Sequence, residues 1–438
     1  MLQTFKNAWK VPDLRKKILF TLMIILLYRI GANLFVPYVN VGMVDVYSQL
    51  FSEGIFGMLS LMSGSAFSQA TFFALSVSPY ITASIVMQLL TIAIPALEKM
   101  SKDEDGKKKI SAATRWVTVL LALITAYGYV NLLNANGCLN IGKTNVVFAW
   151  AVMIACFCAG ASLIMWLAEK INDHGIGNGI SMILFANIIS GMGTSVQDLI
   201  YMLRDTKGWF TGWPLVLGIV EVIASVALTL AAIVLIVWFT NSERKIKVVY
   251  AKKVVGRKMY GGQKTSLPLK MNMAGVMPVI FASSIVSIPA TIAAFIPNTG
   301  FASFVNSWLG STSPIYIIIF IALIVAFSYF YIAISFNPVE VANNIRNNGG
   351  AIIGIRPQEM APFIKKILNR VTLMGAIFLV VIAGTPLIVS AIVSVVGGNF
   401  TSLAFTGTSL LIVVGVALET VRDLEAQLSM RNYKGFLD

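Results

Sequence analysis

Ten apolar stretches, at roughly 18–37, 70–94, 116–134, 146–168, 178–194, 214–239, 273–296, 314–336, 367–396 and 403–421, are each long enough to cross the ~30 Å hydrocarbon core of a bilayer as an α-helix. In hydrocarbon every backbone polar group must be satisfied within the segment, so this pattern folds as a set of membrane-spanning helices. Composition agrees: 57% of the 438 residues are hydrophobic and 12% are charged, a balance foreign to soluble globular domains. A net charge of +14 would suggest nucleic acid in a soluble chain, but here it reads as topology. With the N-terminus inside, 28 of the 33 Lys and Arg fall in cytoplasmic segments, three fall in external ones, and Arg29 and Arg370 lie within spans. The external loops around 38–69, 297–313 and 397–402 hold none. This bias predicts both termini in the cytoplasm. The basic-then-apolar N-terminus is too long and lacks a small-residue cleavage site, so it reads as a first span rather than a removable signal peptide.

The stretch Leu50 to Leu90 departs from a plain span. Its apolar piece Ile55 to Met62 is too short to cross, and Ser63, Gly64, Ser65, Ser68 and Gln69 interrupt it. The following span carries Ser76, Ser78, Pro79, Thr82, Ser84 and Gln88, more polar groups than lipid contact requires. Irregular backbone at membrane depth survives only where protein or water covers it. The stretch reads as a half-inserted plug followed by a wall helix of an aqueous path. A re-entrant loop beside an ordinary packed helix fits this stretch equally.

The ten spans divide five and five about the external loop near 195–213. Five is odd, so a second half related to the first would be inverted, with a path between the halves. The repeat itself is not visible in the residues. Two long cytoplasmic loops, 240–272 and 337–366, exceed what topology needs. The first holds nine basic residues and one acid with a β-prone run at Val248, Val249 and Tyr250; Asn-Gly, Gly-Gly and Pro signals punctuate the second. They are expected to protrude and dock a partner, and topogenic charge in contact with anionic lipid is the competing reading.

The groups that catalysis needs are scarce. Arg29 and Glu221 stand out within the spans, each toward an external end, and His174, the one histidine, sits in a short cytoplasmic loop. No HExxH, P-loop or GxSxG pattern occurs. Cys156 and Cys158, two apart on a helix, project to different sides, and Cys138 stands alone. The run Gly175 to Gly179 lacks the strand and lysine of a phosphate loop and predicts a tight turn instead. An intramembrane enzyme is therefore not expected, nor is any cofactor. An ion-coupled transporter would need a mid-membrane carboxylate, for which Glu221 is badly placed. Aliphatic side chains and hydroxyls suit another device: a narrow aliphatic waist that blocks ions by dewetting yet yields to a flexible polymer.

Long segments of the chain resemble the SecY family of bacterial protein-translocation channels. SVSPYITASIVMQLL (Ser76 to Leu90) and WLAEKINDHGIGNGISMIL (Trp166 to Leu184) resemble its two signatures. LPLKMNMAGVMPVIFASSI (Leu267 to Ile285), NPVEVANNIRNNGGAIIGIRP (Asn337 to Pro357) and FTGTSLLIVVGVALET (Phe405 to Thr420) are similar to its seventh-span entrance, last long loop and tenth span. One departure is VPYVNV (Val36 to Val41), where the family often has Pro-x-Pro-Gly.

The resemblance implies an all-α polytopic membrane protein with ten transmembrane helices in two inverted five-helix halves, 1–195 and 214–438, around a central pore, joined by an external hinge loop at 196–213. It implies a pore ring of Val77, Ile81, Ile280 and Ile412 with Ile183 or its neighbour Leu184. It implies a plug at 55–66 carrying Ile55, Phe56, Met58, Leu59, Leu61 and Met62. A lateral gate would part the second and third spans from the seventh and eighth, with Thr82 and Ser284 near its seam. Arg244, Lys245, Lys252, Lys253, Arg257, Lys258 and Arg356 would dock the SecA ATPase and the ribosome. The implied membrane partners are SecE and SecG, and the substrates are unfolded chains bearing signal sequences. The implied setting is a bacterial cell membrane.

Overall fold

Each of the ten predicted spans coincides with a helix. The computed structural model describes residues 2–40, 42, 63–142, 145–191, 215–250, 253–255, 258–260, 264–295, 300–310, 313–396 and 407–434. The helices at the spans are α2 (Pro12–Gly31), α3 (Ser78–Ala93), α5 (Glu104–Ala135), α6 (Val146–His174) and α7 (Gly179–Gly191). After the 195–213 stretch come α8 (Leu215–Asn241), α9 (Met277–Phe295), α11 (Pro314–Ser335), α13 (Met360–Val396) and α14 (Gly407–Lys434). Shorter helices lie between or before them: α1 (Leu2–Lys10), α4 (Pro95–Lys102), α10 (Gly300–Trp308) and α12 (Pro338–Asn347). Among the described residues, α5, α6, α11 and α13 meet a strict length-and-hydropathy standard for crossing alone, and α3 with α4 makes a bent fifth. The rest are shorter or carry charge near one end.

Local chemistry sets the helix starts. Proline opens α2, α3, α4, α11 and α12, where its missing N–H costs nothing and its fixed φ suits the first turn. Asn145, Asn178 and Asn337 cap α6, α7 and α12 by accepting hydrogen bonds from first-turn amides. The predicted tight turn at Gly175 to Gly179 is present. Asn172 Oδ1 accepts from the Gly179 amide at 2.7 Å, and a Cβ on Gly179 would collide with the Ala168 carbonyl. Thr21 Oγ1 on α2 accepts from the Ile176 amide at 3.1 Å, which fixes this turn against the first span.

One expectation needs correction, and two regions hold structure that the sequence did not announce. The second span is not a straight helix over 70–94. Residues 70–77 are turns with left-handed Ala70 and Ser76, the helix begins at Ser78, and at Ile94 the chain bends by 109° into α4, as a residue before proline resists the helical conformation. The external loop 297–313 contains α10. The two long loops, 240–272 and 337–366, are one unit: β1 (Glu243–Tyr250) pairs antiparallel with β4 (Lys264–Lys270) on one side and with β5 (Gly350–Ile352) on the other. The strands β2 (Lys253–Val255) and β3 (Lys258–Tyr260) pair beyond them. Ile246, Val248, Leu269, Ile345, Ile352 and Ile364 form the buried core under this sheet, against α12 and the start of α13. The plug side chains Ile55 to Met62, the 196–213 hinge, Lys252 and Arg257 lie outside the described residues.

Within each half, α5 packs on α6 and α3, and α11 packs on α9 and α13. Across the halves, α9 packs on α3 and α5, and α1 packs on α14. Thr4 Oγ1 donates to Glu425 Oε1 at 3.0 Å and Lys17 Nζ to Gln427 Oε1 at 3.2 Å. The departure at Val36 to Val41 is a turn with Tyr38 left-handed, held where the Asn40 amide donates to the Cys138 carbonyl at 2.9 Å.

Candidate functional site

Four helices bring the aliphatic candidates together. Val77 caps α3, and the Ile81 amide donates to its carbonyl at 3.0 Å, so Val77, Ile81 and Ile85 stack along one face at one-turn spacing. Ile280 stands in the first turn of α9, Ile183 and Leu184 in the second turn of α7, and Ile412 in the second turn of α14. Their exposures are 1% for Val77, 2% for Ile81, 0% for Ile183 and Leu184, 2% for Ile280 and 6% for Ile412, and all six belong to one buried cluster. Both fifth-span alternatives are therefore in the cluster. The burial on α3 alternates (Pro79, Ile81, Ala83, Ile85, Met87), because this helix is covered on two sides.

An amide that sequence reasoning passed over sits beside this cluster. Asn187 on α7 is fully buried, and its Nδ2 donates to Ser76 Oγ at 3.4 Å. Its signal was a lone amide late in a short apolar helix. Glu419 on α14 and Arg370 on α13 also fall within predicted spans, near their cytoplasmic ends, so Arg29 and Glu221 are not the only charges there.

Residues 63–77 form a compact, buried turn segment before α3. Ser63, Ala66, Thr71, Phe73 and Ser76 are all under 5% exposed. The segment rests on α2: Tyr28 stacks on Phe73 with centroids 5.2 Å apart, and the Phe72 amide donates to the Leu34 carbonyl at 2.7 Å. Gly64, Ser65, Ala70 and Ser76 are left-handed, three of them without the glycine that this conformation favours. Arg29, in the last turn of α2, donates from Nη2 to the Ala186 carbonyl at 2.6 Å.

At the seam between halves, Thr82 is half-buried and Ser284 is 2% exposed. Each hydroxyl turns back to its own helix, Thr82 Oγ1 to the Ser78 carbonyl at 3.1 Å and Ser284 Oγ to the Ile280 carbonyl at 2.9 Å. Each hydroxyl is thus satisfied within its own helix, and parting α3 from α9 breaks neither bond. Nearby, Arg115 on α5 donates to Glu169 on α6 at 2.9 Å, which ties the third span to the fourth.

On the cytoplasmic sheet, Arg244, Lys245 and Lys247 are exposed on β1, whereas Ile246 and Val248 point into its core. Strand alternation puts Lys245 and Lys247 on the face opposite Ile246 and Val248, whereas Arg244, on the side of that core pair, is exposed at the start of the strand. Lys253 and Lys258 stand on β2 and β3. Arg356 is exposed in the turn between β5 and α13. Among the described residues, no group of three or more His, Cys, Asp and Glu could hold a metal ion.

Comparison with known proteins gives one answer along the whole chain. The SecY family profile matches residues 71–421. A protein translocase subunit SecY of Streptomyces scabiei is 41% identical over 450 residues, and one of Mycobacterium bovis is 40% identical over 457, each alignment covering all of both chains. Among solved structures, one described as a protein-conducting channel superposes with a TM-score of 0.65 at 17% identity, covering 94% of this chain and 92% of the other. The Sec61 chain of a canine ribosome-channel complex gives 0.61 at 16% identity, with the same two coverages. With ten helices at its ten predicted spans, an aliphatic cluster where four of them converge, and this agreement over its full length, the chain is a multi-pass membrane protein that belongs to the SecY family.

Proposed function

We propose that this chain is a protein-conducting channel, which passes unfolded secretory polypeptides across the membrane and releases apolar segments sideways into lipid. The observation that carries the reading is that Val77, Ile81, Ile280, Ile412 and the α7 pair Ile183 and Leu184 are all buried members of one apolar cluster. Side chains of this kind close a pore to ions by dewetting and offer no hydrogen bond to a passing chain, so they grip nothing that slides through them. Full-length relatives named as translocase subunits support it.

Sorting needs no catalysis. When α9 separates from α3 and α5, a segment in the pore samples water and lipid together. Each central Leu, Ile, Val or Phe favours lipid by about 0.3–0.6 kcal/mol and each charge opposes it by about 2.5–3.5 kcal/mol. A run of about twenty apolar residues therefore leaves and a polar one passes on.

The driving force comes from outside the chain. The exposed Arg244, Lys245 and Arg356 form a basic surface suited to rRNA phosphates and to protein carboxylates, and Lys253 and Lys258 add charge to the same loop. The ribosome and the SecA ATPase are the partners this face fits, with SecE and SecG as membrane subunits and anionic lipid around the sheet. The basic bias places both termini in the cytoplasm.

The test is a crosslink. One cysteine replaces Ile81 or Ile412 after the three native cysteines are removed, and a secretory chain carrying a thiol-reactive probe is stalled midway. Crosslinks that follow the probe's position and require a signal sequence are expected. Their absence at every ring position in a folded complex overturns the reading.

A further inference from the structure

The β4-β1-β5 sheet joins the membrane helices through two connections: β1 follows α8 at Ser242, and β4 leads into α9 through residues 271–276. The Met271 amide donates to the Ser242 carbonyl at 2.9 Å, so the two connections are bonded together at the base of the sheet. α14 touches both. Arg422 on α14 is half-buried, and its Nη2 donates to the Thr240 carbonyl and to Asn241 Oδ1, each at 2.8 Å. The last carbonyls of a helix lack partners within it and favour a cation, so Arg422 closes the end of α8 from outside. At the second connection, a Cβ built on Gly415 would stand 2.5 Å from Val276 Cγ1, which sets the backbone of α14 directly against the entrance to α9. Glu419, one turn from Gly415 and one from Arg422, lies in the field of Lys270 on β4. α14 then extends both ways. Ile412, about 15 Å along the helix from Arg422, belongs to the buried aliphatic cluster. Past Arg422, Leu424 packs with Ala8, Leu14 and Ile176, and Glu425 and Gln427 accept from Thr4 and Lys17.

We propose that Arg422 is a positioning residue that locks α14 to the base of the sheet, so that a partner seated on the sheet shifts α14 and, through it, the cluster at Ile412 and the contacts with α1 and α2. The inference rests on the channel reading above and adds the element that carries docking to the cluster. A guanidinium suits the place, because both of its bonds here are charge-assisted and its planar fork fixes direction as well as distance. Gly415 keeps the second connection close without a polar tie, so the directional part of the junction falls to Arg422. Without that side chain, the end of α8 and the start of β1 move with the sheet while α14 stays behind. A partner then binds as before, and its binding no longer reaches the cluster.

The experiment uses the complete translocase complex in liposomes with its motor ATPase, and reads two quantities for each variant. One is the motor concentration that gives half-maximal export of a secretory protein; the other is the export rate at saturating motor. Arg422→Gln is expected to lower the saturated rate about tenfold, the scale of one lost hydrogen bond to a charged group, with the half-maximal concentration unchanged. Arg422→Lys should recover part of the rate, since an ammonium still donates to the Thr240 carbonyl but without the fixed direction. In an Ile412→Asn chain, whose cluster is already loosened, Arg422→Gln should cost less than it does in the wild type. Wild-type kinetics for Arg422→Gln overturn the proposal. So does a rise in the half-maximal concentration that accounts for the whole loss, which would make Arg422 part of the docking surface. An equal fractional loss with and without Ile412→Asn overturns it too, since the residue would then act independently of the cluster. Should Arg422→Gln fail to assemble, Asn241→Ala, which keeps the arginine and removes one acceptor, decides by the same two quantities. No export by the wild-type complex would instead strike the channel reading, and the inference with it.

Discussion

Ile81, Ile280 and Ile412 are buried in one apolar cluster, and if they form the proposed ring, the seal depends on their having no polar atom there. Asparagine at any of the three leaves an amide short of partners in the resting state, at a cost of about 1–3 kcal/mol. The expected outcome is a higher resting conductance in planar bilayers and export of substrates with defective signals. Valine at the same positions, at about 1 kcal/mol, should leave conductance near wild type. Equal conductance for the asparagine and valine series would remove these residues from the ring. Gly179 is a different kind of constraint. Its Cβ has no room beside the Ala168 carbonyl, so Gly179→Val should prevent α7 from entering next to α6. Protease accessibility of the 175–179 turn in membrane vesicles measures this, and wild-type protection would contradict it.

Among the elements, the cytoplasmic sheet makes the clearest prediction. β1 is its central strand, bonded on both edges, so Val248→Pro removes a donor from the ladder and should release β5 from β1. Binding of ribosomes and of the motor ATPase should weaken together in pull-downs, with the membrane helices still assembled. Arg356→Glu should impair motor-driven translocation with the sheet intact. Ribosome binding should also fall steeply with added salt, since phosphate contacts release counterions. Salt-independent binding would point to an apolar docking surface instead.

The spans were legible because a 3.6-residue helix at membrane depth must be apolar almost throughout, and the run of Val248 to Tyr250 announced β1. The joining of the two loops was not legible. The pairing of β1 with β5 is a contact across about a hundred residues, and the three residues of β5 carry no periodic signal of their own. The turns over 70–77 were hidden for a related reason: Ala70 to Val77 is as apolar as a span, and its left-handed residues are set by packing on α2 rather than by glycine. The ring residues were named through resemblance, since any single isoleucine in this composition reads as ordinary core.

For the whole molecule, two of the contacts between the halves among the described residues are α9 on α3 and α5, and α1 on α14. If the first is the gate, tethering it should stop both translocation and membrane insertion. Cysteines at Thr82 and Ser284, bridged by a short bifunctional reagent, are expected to abolish export of a secretory protein and to block release of an apolar segment into lipid. A longer flexible reagent should restore both. Full activity under the short tether would move the exit elsewhere. Bridging Thr4 to Glu425 as cysteines, where those side chains already touch, should cost little activity, because that contact need not part.

All three strands of the β4-β1-β5 sheet come from the chain after residue 240. A machine that grasps this sheet therefore holds a handle bolted to only one of two jaws. Pushing on it transmits torque to α8, α9, α12 and α13, while the other jaw, anchored in lipid, supplies the reaction. If opening is a relative rotation of the two jaws, its leverage is set by how far the sheet stands from the axis about which they turn. Lengthening or softening the connections at Ser242 or Asn272 should waste that rotation as slack, lowering the translocation obtained per ATP spent while leaving the grip itself unchanged.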